Sequence, residues 1–117
     1  MDVFNELFEK QIKNQQKLID TGSYGTNESM LLPTDNTKIF SYHIQQLMSE
    51  IGEVLESDKR WKNIRNNKYN REHKLDELAD CFIVWMNLCI FSGYTPAEVL
   101  DQINKKLEIF SKRIEKS

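Results

Sequence analysis

The stretch "ELADCFIVWMNLCIF", Glu77 to Phe91, decides the class of fold. From Leu78 onward it is apolar at nearly every position, as expected of a helix enclosed on all sides. Asn87 interrupts the run, which falls well short of the roughly 20 residues that a membrane span needs. The stretch therefore reads as a core helix running from near Glu72 to Phe91, with Gly93 as its C-terminal stop. Immediately beyond, "TPAE" offers Thr95 as N-cap, Pro96 at the first helical position and Glu98 three residues after the cap. That is a capping box, and it opens a fourth helix.

Towards the N-terminus the pattern is again helical. Val3, Phe4, Leu7, Phe8, Ile12, Leu18 and Ile19 predict a first helix over 2–19. "TGSYGTNESMLLPTDNT", Thr21 to Thr37, reads as a loop ending in good N-cap residues at Asp35 to Thr37. Phe40, Ile44, Leu47, Met48, Ile51, Val54 and Leu55 then share one face of a second helix. "SDKRWKNIRNNKYNRE" reads as a polar, basic connection. With no internal repeat and no useful strand alternation, the expected architecture is all-α: one domain of four helices.

The 117 residues carry 16 basic and 18 acidic side chains, a net charge near −2, which argues against binding nucleic acid by broad phosphate neutralisation. Cys81 and Cys89 fall in one helix, about 12 Å apart by helical rise, too far for a disulfide. They read as buried thiols, and a reducing cytoplasm is the expected compartment. The start "MDVFNELFEKQ" has no signal-peptide pattern, and neither a membrane nor a nucleic-acid partner is expected.

Two acidic pairs have surroundings that set them apart. "SEIGEVLE" places Glu50 at the edge of the apolar face of helix two and Glu53 beyond it, with Gly52 between. Glycine inside a helix costs roughly 1 kcal/mol relative to alanine, so its presence predicts a close approach by another backbone or side chain. Glu77 and Asp80 open the apolar helix on one stripe and are expected to be partly enclosed. The alternative is an exposed first turn, where they favour the helix dipole. If helices two and three meet at Gly52, four carboxylates converge, and Mg²⁺ or Mn²⁺ is the natural counter-charge. Glu6/Glu9 and Glu98/Asp101 have the same spacing but sit on ordinary polar faces, and are given no role.

Here a family likeness emerges. "EIGE", Glu50 to Glu53, followed by "ELAD", Glu77 to Asp80, resembles the ExxE…ExxD pattern of the all-α nucleoside triphosphate pyrophosphohydrolases, the superfamily of MazG, dimeric dUTPases and dCTP pyrophosphatases. "SGYTPAEVLDQINKKLEIFSKR" is similar to the segment that follows the second motif. In it, Asn104 and Lys106 match an N-x-K element and Arg113 follows seven residues after Lys106. Leu107 and Phe110 replace two asparagines of the dUTPase pattern. "RWKN", Arg60 to Asn63, and the first helix also look similar to dUTPase-like members.

The resemblance implies a four-helix MazG-like bundle completed by oligomerisation into a dimer or tetramer. It also implies Mg²⁺-dependent hydrolysis of a (deoxy)nucleoside triphosphate to the monophosphate and pyrophosphate, with pyrimidine deoxynucleotides favoured and a purine as the alternative. Glu50, Glu53, Glu77 and Asp80 would hold metal, Glu50 or Glu53 would act as base, and Lys106 and Arg113 would pair with phosphate oxygens.

Other residues divide between two readings each. Asn104 contacts substrate or caps backbone; Asn87 meets a base or bonds between helices. Trp61 stacks on a nucleobase or anchors its loop. His43 is expected at a surface or interface. Lys59, Arg60, Lys62, Arg65 and Lys68 receive phosphates or form a solvated loop. Phe82, Trp85 and Met86 are expected in the core, with a second subunit covering the rest of that helix. The competing reading of the whole chain is a non-catalytic helical interaction module.

Overall fold

The structure, a computed structural model, describes residues 2–23, 37–62 and 68–116. Among them are four α-helices and one 3-10 turn, and no strand. The helices are α1 (Val3–Asp20), α2 (Thr37–Ser57), α3 (Arg71–Phe91) and α4 (Pro96–Glu115); the 3-10 turn is Lys59–Trp61. No single helix among the described residues is long and apolar enough to cross a membrane.

Local chemistry sets the helix ends. Asp2 caps α1 by accepting the Phe4 amide at 3.0 Å, and Gly22 closes it at φ 74°, in the left-handed region. Of the N-cap candidates expected for α2, Asp35 and Asn36 lie outside the described residues, and Thr37 opens that helix. Asn70 caps α3, its Oδ1 accepting the Glu72 and His73 amides at 2.9 and 3.0 Å. Gly93, at φ 82°, ends it. Thr95 accepts the Glu98 amide at 3.2 Å and donates its hydroxyl to Glu98 Oε1 at 3.2 Å. The capping residues are those expected, although Glu98 returns to the threonine hydroxyl.

The chain divides into two compact units. One comprises residues 1–35 and 89–117. In it α1 packs on α4, and Phe8, Ile19, Ile90 and Phe91 are buried. The other, residues 36–88, holds α2, the 3-10 turn and most of α3, and buries Ile39, Val84 and Met86.

Several expectations of burial are corrected. α3 is not enclosed on all sides: Leu75, Leu78, Phe82 and Ile83 are exposed, so Phe82 is not a core residue. The apolar face of α2 is open as well, at Ile44, Met48, Ile51 and Leu55. Position on a helical face fixes which residues are neighbours along that helix, and a cover for them needs a second surface. His43, expected at a surface or interface, is 3 % exposed. Cys81 and Cys89 are free thiols, partly rather than fully buried.

Candidate metal centre

The site is built where the later turns of α2 meet the first turns of α3, inside the second unit. Residues three or four apart share a helix face. On α2 that rule groups Gln46, Glu50 and Glu53; on α3 it groups His73, Glu77 and Asp80. A polar clamp ties the two helices. Asp58, just past the end of α2, accepts Lys74 of α3 at 2.8 Å. It also takes Arg60 through two bonds, 2.8 Å from Nε and 2.7 Å from Nη2. The Arg60 guanidinium in turn lies 3.7 Å from the centre of the Tyr69 ring. The Arg60 and Lys74 cations hold the Asp58 carboxyl well below the usual range, and Asp58 raises Arg60.

Within this frame, Glu50, Glu53 and Glu77 each bring a carboxylate oxygen to within 4.8 Å of the others. Asp76, Glu77 and Asp80 form a second such triad, so Glu77 belongs to both. Glu50, Glu77 and Asp80 are half-buried and Glu53 is exposed. Like charges about 4 Å apart repel by about 4 kcal/mol at an effective dielectric of 20. Against that, the chain supplies Glu50 with the Gln46 amide, 3.1 Å from Oε1, and Glu77 with His73 Nε2, 3.7 Å from its Oε1. A hydrogen bond to a charged group contributes about 1.5–3 kcal/mol, so Gln46 offsets part of that cost at Glu50.

The other oxygens, Glu50 Oε2 and Glu77 Oε2, are buried and meet no hydrogen-bond donor among the described residues. Burial, followed by a carboxyl contact with Glu53, raises the Glu50 pKa against the lowering effect of Gln46. Cys81 feels the same field: burial, then Glu50, Asp80, Glu77 and Glu53 in that order, push its thiol up. All four expected carboxylates therefore act on one neighbourhood. Their donor set is all oxygen, the set a hard divalent cation prefers, and two of its oxygens are buried without a donor. The residues fit such an ion.

Beside the centre lies an open groove of about 720 Å³, lined by Ser49, Gly52, Glu53, Glu56, His73 and Glu77 among others. Gly52 corrects an expectation here. A Cβ built on it meets nothing within 4 Å, so no backbone or side chain among the described residues packs against it. Its missing side chain leaves groove space open instead.

The remaining candidates are not members of the carboxylate triads. Asn104, Lys106 and Arg113 are exposed on α4. Trp61 donates its indole N–H to the Leu55 carbonyl at 3.2 Å, which anchors the turn, and lines a smaller groove with Arg60 and Lys74. Asn87 is buried and is not among the residues lining either groove. In the basic run, Arg60 is committed to Asp58 and Tyr69, and Lys59 to Glu56 at 3.4 Å. Arg65 and Asn63 lie outside the described residues. Gln46, His73, Asp76 and the Asp58–Lys74 clamp were not anticipated. Helical offsets from Glu50 and Glu77 place Gln46 and His73 on the right faces; the clamp spans 16 residues and carries no such signal.

Comparison of the chain with family models, with curated proteins and with solved structures returns no match.

Proposed function

We propose that this chain is a divalent-metal-dependent hydrolase of nucleoside triphosphates, releasing pyrophosphate. The reading rests on the ExxE…ExxD resemblance and is carried by one observation. Glu50 Oε2 and Glu77 Oε2, from two helices, are buried without donors within a carboxylate triad beside an open groove. That arrangement is suited to receiving a cation.

Glu50, Glu53, Glu77 and Asp80 would hold the ion. When bound, Mg²⁺ or Mn²⁺ supplies charge neutralisation and polarises phosphate oxygens. The protein's own groups do the rest. Glu50 or Glu53 takes a proton from a water; the water oxygen bonds to the α-phosphorus while the bond from that phosphorus to the α–β bridging oxygen breaks. Pyrophosphate leaves with the electron pair, and the nucleoside monophosphate remains. Gln46 orients Glu50, and the Asp58–Arg60–Lys74 clamp keeps α2 and α3 together against carboxylate repulsion. The gap at Gly52 admits the phosphate chain. Lys106, Arg113 and Asn104 are assigned to the substrate by the resemblance alone, with a pyrimidine deoxynucleotide favoured. In this reading Trp61 is an anchor of its turn.

Homo-oligomerisation belongs to the same proposal. The exposed apolar side chains of α2 and α3 are those that a second copy would cover.

The test is to incubate purified protein and Mg²⁺ with each of the eight common (deoxy)nucleoside triphosphates and assay pyrophosphate. Release with one or a few of them, lost in Glu50→Gln, is expected, and the panel separates pyrimidine from purine substrates. Release with none, or release that Glu50→Gln leaves intact, supports the interaction-module reading instead.

A further inference from the structure

His73 stands at the rim of the groove, one helical turn before Glu77 on the same face of α3. Its Nε2 lies 3.7 Å from Glu77 Oε1. That separation exceeds a hydrogen bond, which ends near 3.2 Å. It leaves the ring within reach of an ion shared with Glu77: adjacent donors about 2.1 Å from an octahedral metal lie about 3 Å apart, which a small turn of the imidazole provides. The His73 ring is outside both carboxylate triads and reaches the centre only through Glu77. It lines the groove with 57 % of its side chain exposed. The space it would enter is kept open on α2 by Gly52.

We propose that His73 is a nitrogen ligand at the edge of this centre, and that it biases the site towards a first-row transition ion such as Mn²⁺ over Mg²⁺. The proposal rests on reading the carboxylates as a metal site. Its physical basis is donor type: carboxylates serve Mg²⁺ and Mn²⁺ alike, whereas imidazole favours transition ions, and Mg²⁺ gives up its water reluctantly. His73 is no part of the acidic motifs, so nothing in the motif resemblance requires it.

The chain has two histidines, and the other, His43, is buried on α2, so a nitrogen signal can be assigned. Tag-free, metal-stripped protein is titrated with Mn²⁺ and followed by electron paramagnetic resonance, with Mg²⁺ as competitor. Pulsed measurements on the Mn²⁺ complex then read ¹⁴N coupling. The wild type is expected to show imidazole coupling. In His73→Gln, checked by circular dichroism to be folded, the coupling disappears and Mn²⁺ affinity falls about tenfold, while Mg²⁺ affinity changes less than twofold. Mn²⁺ binding that depends on Glu50 but carries no ¹⁴N coupling, or coupling that persists in His73→Gln, overturns the role of His73 and leaves the carboxylate site standing. Mn²⁺ binding that is absent, or indifferent to Glu50→Gln, overturns both.

Discussion

Glu50 and Glu77, on different helices, each hold one buried carboxylate oxygen that no donor among the described residues reaches. Close by, Asp58 joins the same two helices by accepting Lys74 of α3 at 2.8 Å. A protein built in this way should respond to a cation more strongly than to most mutations.

Glu50→Gln isolates that response. Raised by burial and by Glu53, the folded-state pKa of Glu50 makes its ionised form a cost to the metal-free fold at neutral pH. The variant should therefore melt at or above the wild type without metal. The wild type should gain about 2.7 kcal/mol at a hundredfold excess of ion over Kd, several degrees in Tm, and the variant little. Calorimetry with and without Mg²⁺ checks both halves.

Gly52→Ala separates fold from function. A Cβ there meets nothing within 4 Å, and alanine is the better helix former by roughly 1 kcal/mol. Denaturant unfolding should show the variant more stable by about that amount, with pyrophosphate release reduced tenfold or more because the new methyl enters groove space. Equal loss of both would contradict an open groove at this position.

Asp58→Asn should lower Tm at pH 7 and shift its pH dependence. The Asp58 pKa is depressed in the fold, so its contribution is full above its unfolded value near 3.8 and is lost as pH falls through the folded value. The gap between variant and wild type is widest at neutral pH and narrows below about pH 4. Melting curves from pH 7 down to 3 test the sign.

His43 acts at a milder pH. Burial lowers its pKa from 6.5 to about 4, so between those values the unfolded chain takes up a proton that the fold refuses. Stability should fall as pH drops from 6.5 towards 4. His43→Gln, which keeps an amide able to hydrogen bond, should flatten that part of the profile in urea titrations.

Met48→Glu tests the open apolar face. Met48 is 68 % exposed, in line with Ile44, Ile51 and Leu55. Sedimentation velocity should find the wild type as a dimer or tetramer and the variant shifted to monomer, because assembly would bury the new charge without a partner. A monomeric wild type would remove oligomerisation from the proposal.

Much of this was legible in the chain. Helix ends follow from signals a few residues long, such as Thr95-Pro96-Glu98 and Gly93, because caps and turns are local chemistry. So does the placing of Glu50 with Glu53 and of Glu77 with Asp80, since a spacing of three sets azimuth on a helix whatever surrounds it. The tertiary structure alone decided what each face meets. It put Glu77 in a triad with Glu50 and Glu53 and in another with Asp76 and Asp80. It buried His43, exposed the α2 stripe, left Gly52 facing empty space, and joined Asp58 to Lys74. Sequence periodicity determines the direction of a side chain about its own helix axis; the rotation and depth at which another helix arrives depend on packing between segments distant along the chain.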